Sequence, residues 1–262
     1  MIARTGNALV LVFGALLLAL MCLAWAIVAV VLLPLTTVGW GRRVGRLGAM
    51  YCFRTWLATM ETLGAWRLDL TELDQLRDSG PLILAPNHPS LLDAVFIVSR
   101  LPDAVCVMKG SLLRNFLLAP AARLARYVPN DSLLRLISRA TPELERGGQL
   151  LLFPEGTRSV GTLGAFTEAV GAVSRRTGVY VQAIVIEDGT RFLGKEWPIA
   201  RVPAFPLDYR VRLGRRFEPP SDVRLFTAEL ERYFARELAA SPPRPMPAAE
   251  KPAVEGARQI RG

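Results

Sequence analysis

The chain has 262 residues, 51% of them hydrophobic, and a mean hydropathy of +0.28, so it can fill one buried core and still place a segment in lipid. The net charge of +9 suits an anionic partner such as a membrane surface or an acidic substrate. The basic residues are mostly scattered Arg, with no zinc-finger, bZIP or RNA-binding pattern, and the chain has 1 His and 3 Cys with no CxxC pair. Nucleic-acid binding and a metal site are therefore not expected. Cys22, Cys52 and Cys106 lie in apolar stretches and read as reduced, buried thiols.

No charged residue occurs from Thr5 to Gly41, and the apolar run Ala8 to Pro34 exceeds the roughly 20 residues that cross a bilayer. Arg4 precedes it, while Arg42, Arg43 and Arg46 follow it. The heavier positive side is the C-terminal one, which predicts that the rest of the protein lies in the cytoplasm. A cleaved signal peptide fits less well: Ala24-Trp25-Ala26 has an A-x-A shape, but apolar sequence continues past it and the basic start is weak. Val44 to Trp66 reads as an amphipathic helix with Trp56 and Trp66 as interfacial residues, and Pro34 and Gly39 can turn the chain. A single span and a one-leaflet hairpin both remain open. Residues 1–66 form this anchor.

Beyond Trp66 short apolar runs alternate with longer helical ones. Strands are expected at Arg67–Leu70, Leu82–Ala85, Ala104–Met108, Leu150–Phe153, Val179–Ile186 and Tyr209–Leu213. Helices are expected at Leu92–Leu101, Arg114–Leu124, Leu133–Arg146, Ala165–Arg176 and Asp222–Leu238, the last with Ser221 as its cap. This alternation predicts an α/β domain over residues 67–240, with a mostly buried mixed or parallel sheet flanked by helices. Residues 241–262 are rich in Pro and Ala and read as a flexible tail.

Two segments carry residues fit for chemistry. Ala85-Pro86-Asn87-His88-Pro89-Ser90-Leu91-Leu92-Asp93 leaves an apolar strand and opens a helix. His88 is the only imidazole, and Asp93 sits where a turn at Pro89 can return its carboxylate to one ring nitrogen. Such a pair frees the other nitrogen to accept a proton. The plain alternative is a loop histidine beside a helix-start acid. Phe153-Pro154-Glu155-Gly156-Thr157-Arg158-Ser159 also follows a strand. Gly156 lets backbone approach a ligand, Arg158 offers a fork matching phosphate, and Glu155 can orient Arg158 or a substrate hydroxyl. Alone, this segment equally fits a surface turn with a solvated Glu–Arg pair. No GxSxG elbow, Walker A or GxGxxG loop occurs, which sets aside hydrolase, NTPase and dehydrogenase readings.

Together, Asn87-His88-Pro89-Ser90-Leu91-Leu92-Asp93 and Phe153-Pro154-Glu155-Gly156-Thr157-Arg158-Ser159 resemble the first and third motifs of the glycerolipid (1-acylglycerol-3-phosphate) acyltransferases, the PlsC-like group. The resemblance covers roughly Leu70 to Leu213. It implies acyl transfer from an acyl carrier protein or coenzyme A thioester to a hydroxyl of a membrane lipid, with no metal, no cofactor beyond that co-substrate and no covalent intermediate. His88 would be the base and Asp93 its support. Asn87, Glu155, Gly156, Thr157 and Arg158 would bind the acceptor, Arg158 on its phosphate.

The departures are specific. Asn130 stands where the family's second motif has an Arg, Tyr180 and Ala183 stand at its later proline positions, and Glu168 replaces a Lys. An intact catalytic motif with drifted acceptor motifs implies the same chemistry on another acceptor or donor. A lipid-binding protein that has kept the fold without turnover is the alternative. Lys109 would face the membrane or the donor, or simply snorkel. Trp197 and Phe205 read as part of a packed loop.

Overall fold

The computed structural model describes residues 2–35, 40–159, 163–198 and 201–240, so the expected tail lies outside the described residues. The long apolar run forms helix α1, Ile2–Leu32. At about 1.5 Å per residue it is about 46 Å long, more than a hydrocarbon core of about 30 Å. Helix α2, Trp40–Thr62, returns antiparallel along it. Glycines set the closeness of this hairpin: a Cβ on Gly14 would lie 2.5 Å from Met60 Sδ, and one on Gly48 1.9 Å from the Trp25 ring. The Trp56 indole N–H donates to Gly14 O at 2.8 Å. The second helix ends at Thr62, short of the expected Trp66. Gly64 takes a φ of +74°, its N–H bonds to Glu61 O, and the Ala65 N–H bonds to Met60 O, a Schellman stop. Trp66 instead begins a strand.

Seven strands follow: β1 Trp66–Asp69, β2 Leu82–Pro86, β3 Ala104–Met108, β4 Val128–Pro129, β5 Gln149–Leu151, β6 Val181–Asp188 and β7 Leu207–Phe217. Their order across the sheet is β1-β7-β6-β2-β5-β3-β4. Strands β6, β2, β5, β3 and β4 are mutually parallel, β7 is antiparallel to β6, and β1 is parallel to β7. The sheet is therefore mixed. Edge strand β4 has two residues, too short for an apolar run to announce it.

The central strands alternate between two cores. Leu82, Leu84, Cys106, Leu151, Ile184 and Ile186 face α2 and α3 (Asp93–Val98). Ile83, Ala85, Val105, Leu150, Ala183 and Val185 face α5 (Leu133–Glu145), α6 (Ala169–Thr177) and α7 (Val223–Ala240). Burial on both faces is why these strands read as continuous apolar runs.

Three expectations change. The stretch Arg114–Leu124 is not one helix. Asn115 is extended, its Oδ1 accepts from Leu117 N at 2.9 Å, and Pro120 opens α4 (Ala119–Leu124). Helix α7 is capped by Asp222 rather than Ser221, its Oδ1 accepting from the N–H groups of Arg224 and Leu225 at 2.8 and 3.0 Å. Arg46, expected as a flanking charge, is 2% exposed, ion-paired with Glu143, and donates to Ala125 O at 3.2 Å.

Helices α2 and α4 touch through backbone at Gly45, where an added Cβ would lie 2.5 Å from Ala125 N. Gly45→Ala therefore forces backbone apart and is expected to lower stability by about 1–3 kcal/mol. Thermal unfolding in detergent checks this, and an unchanged midpoint contradicts the close contact.

Candidate active site

The strand order builds the site. Strand β2 lies between β5 and β6, all parallel, so the loops leaving their C-terminal ends emerge side by side. That edge is where open α/β sheets hold ligands. The β2 loop carries His88, the β5 loop carries Glu155 and Arg158, and the β6 loop begins at Asp188.

His88 Nδ1 lies 2.8 Å from Asp93 Oδ2, the first residue of α3. The same oxygen accepts from Ser90 N at 2.8 Å. Asp93 is 0% exposed, and its Oδ1 has no hydrogen-bond partner among the described residues. A carboxylate that already receives one N–H and meets no acceptor suits an Nδ1–H donor, which leaves Nε2 unprotonated and able to accept a proton. Nε2 makes no hydrogen bond among the described residues, and the His88 side chain keeps 16% of its surface. The Phe153 ring stacks on the imidazole with centroids 3.8 Å apart.

Burial dominates the electrostatics. It lowers the His88 pKa to about 4; the Glu155 charge opposes this and Arg158 adds to it. Burial also pushes Asp93 well above the usual carboxylate range, aided by the Asp188 and Glu155 charges and opposed by Ser90 N–H and Arg158. At neutral pH the imidazole is therefore uncharged.

Glu155 occupies a place other than the expected one. Its Oε1 accepts from His88 N at 3.0 Å, and its Oε2 accepts from Ser159 Oγ and Gly164 N, both at 2.6 Å. Both oxygens brace protein groups, so Glu155 holds the His88 loop in place. Ser159 N also donates to His88 O at 2.9 Å. Asn87 is likewise structural: its amide donates to Ile186 O at 3.0 Å and accepts from Ile186 N at 2.7 Å, tying the end of β2 to β6. Gly156, with φ +66°, and Thr157 are exposed at the mouth. Arg158 Nη1 donates to Leu193 O and Gly194 O at 2.9 and 3.1 Å, and its other guanidinium nitrogens have no hydrogen-bond partner among the described residues.

The loop after β6 was not anticipated as part of the site. Asp188 Oδ1 accepts from Thr190 N, Thr190 Oγ1 and Arg191 N at 2.8–3.0 Å, closing a tight turn. Ser90 Oγ donates to Phe192 O at 2.7 Å, and a Cβ on Gly194 would come within 3.1 Å of Pro89 O. The Asp188-Gly189 pair signals a turn, but nothing in its sequence signals packing on the His88 loop. Of the departed positions, Asn130 is exposed with its N–H on Met108 O, and Glu168 pairs with Arg224 at 3.5 Å. Trp197 packs edge-on against Phe192 with centroids 5.3 Å apart, the packed loop expected.

Comparison with known proteins bears on this arrangement. Residues 67–187 match the family model described as Acyltransferase. The chain is 27% identical over 128 residues to the chloroplastic 1-acyl-sn-glycerol-3-phosphate acyltransferase LPAT1 of Arabidopsis thaliana, covering 46% of this chain and 36% of that protein. It is 26% identical over 170 residues to the 1-acyl-sn-glycerol-3-phosphate acyltransferase of Pseudomonas aeruginosa, covering 62% of this chain and 63% of that one. The matched region thus spans less than two thirds of either relative. The fold is that of the 1-acyl-sn-glycerophosphate acyltransferase PlsC crystal structure from Thermotoga maritima, with a TM-score of 0.69, 19% identity and coverage of 91% of this chain and 98% of that one. Together these findings show what the chain is similar to: acyltransferases in sequence, and the PlsC fold in structure.

Because His88 is the only histidine, its ring can be followed alone by NMR. The expected titration midpoint is near about 4, with Nδ1 protonated at neutral pH. A midpoint at or above the ordinary 6.5 contradicts the burial argument.

Proposed function

We propose that the protein is a membrane-bound O-acyltransferase. It moves a fatty acyl group from an acyl carrier protein or coenzyme A thioester to a hydroxyl of a lysophospholipid, such as a 1-acylglycerol-3-phosphate. The observation that carries this reading is the 2.8 Å His88–Asp93 contact, with Nε2 free of hydrogen bonds among the described residues and the side chain 16% exposed. Nε2 takes the acceptor's hydroxyl proton as that oxygen attacks the thioester carbonyl. The tetrahedral adduct collapses, the C–S bond breaks, and the imidazolium returns the proton to the departing thiolate. Asp93 holds the ring and stabilises the transient cation. No metal or further cofactor takes part. The unpartnered side of Arg158 is the group placed to grip an acceptor phosphate.

The anchor reading follows from packing. Val10, Leu11, Leu17, Leu18 and Met21 on one face of α1 pack against the sheet's first core, while Leu9, Phe13, Leu16, Leu20, Ile27 and Val31 are exposed. A helix packed along its length on an α/β domain cannot stand across a bilayer without drawing the domain in. We read the α1–α2 pair as a hairpin lying in one leaflet with its bare face in lipid, on the cytoplasmic side of the inner membrane.

The test offers carrier-protein and coenzyme A thioesters with a panel of lysophospholipid and glycerol acceptors to the detergent-purified enzyme. His88→Ala is expected to lower kcat about 10²–10⁴-fold with the fold intact. Arg158→Ala is expected to raise KM for phosphate-bearing acceptors more than it lowers kcat. Full activity in His88→Ala would rule out the mechanism.

A further inference from the structure

A groove of about 1240 Å³ lies away from this site, between the closed end of the hairpin, α4, β4 and α5. None of Asn87, His88, Asp93, Glu155 or Arg158 lines it. Its lining holds six arginines and two carboxylates. The carboxylates are already engaged: Asp131 pairs with Arg135 at 3.1 Å, and Glu143 pairs with Arg146 at 3.4 Å and with the buried Arg46. Arg42, Arg123, Arg126 and Arg139 have neither a carboxylate partner nor a side-chain hydrogen bond among the described residues. Four cations gathered in one groove repel one another, so the arrangement favours an anion between them. Arginine forks match phosphate oxygens.

The surroundings indicate the source of that phosphate. Leu33, directly after the apolar helix, lines the groove, and Leu35 and Trp40 at the same hairpin end are 63% and 47% exposed. Leu133 and Leu134 in the first turn of α5, the helix that also carries Arg139, are also bare, Leu134 at 82%. Apolar side chains beside unpaired arginines are the composition of a surface seated at the headgroup level. An acidic carrier protein would meet the arginines but leave these apolar groups in water.

We infer that this groove binds the phosphate headgroup of an anionic membrane phospholipid and so fixes the tilt of the domain on the bilayer. The inference rests on the hairpin lying in lipid, not on the acyl-transfer chemistry. A soluble short-chain phosphatidylglycerol is the probe, titrated into the full chain in non-ionic detergent against short-chain phosphatidylcholine and inorganic phosphate. The wild type is expected to prefer phosphatidylglycerol over phosphatidylcholine, with binding that weakens as salt rises. The double variant Arg123→Ser/Arg139→Ser, at two exposed and unpaired positions, is expected to bind it about tenfold more weakly or worse, while His88→Ala binds normally. Equal affinity for the two lipids, unchanged binding by the double variant, or full displacement by inorganic phosphate at the same concentration overturns it. Flotation with pure phosphatidylcholine vesicles tests the anchor alone, so a protein that floats without preferring phosphatidylglycerol loses the groove and keeps the hairpin.

Discussion

Two loops at neighbouring strand ends are held together by one buried carboxylate. Glu155, 5% exposed, accepts from the backbone of His88, the hydroxyl of Ser159 and the backbone of Gly164. A charge taken out of water is tolerated when donors surround it, and each donor here belongs to a different point of the site. The strand order β6-β2-β5 brings the loops within reach, and Glu155 sets their relative position. The imidazole is then held at its edge by Asp93 and on its face by Phe153, with one nitrogen committed and the other without a partner among the described residues.

Burial has opposite consequences at the two ends of the dyad. It keeps His88 uncharged, which a base requires, and it makes a charge on Asp93 costly. Two N–H donors on the same Asp93 oxygen offset part of that cost. In the proposed reaction, a proton arriving at Nε2 would bring a positive charge next to that carboxylate, so the pair would be relieved as the acceptor hydroxyl is deprotonated. An interaction that strengthens along the reaction lowers the barrier rather than only tightening binding. One face of the hairpin packs on the domain's core, and the lipid role proposed for it falls to the opposite, bare face.

Much of this was legible in the sequence because it depends on local order. The apolar runs of β2, β3 and β6 gave strand positions to within about two residues, and the spacing of His88 and Asp93 implied a returning carboxylate. The rest depends on who lies beside whom. Nothing in Asn87 shows that Ile186, far along the chain, will take both ends of its amide, or that Glu155 will turn inward to His88 N. Both contacts depend on the neighbouring strand and loop, which the sequence does not place. Arg46 sits among flanking surface charges in the sequence, yet α5 supplies Glu143 to bury it. The split of Arg114–Leu124 could have been read from Asn115 and Pro120, which favour a turn and a helix start.

The central claim is that His88 and Asp93 act as one unit. Single-turnover acyl transfer by His88→Ala, Asp93→Asn and the double variant measures this directly. Residues that work as a unit lose their effect together, so the double variant is predicted to be no slower than His88→Ala alone. Losses that multiply across the two positions would mean that Asp93 acts independently of the imidazole and would contradict the account.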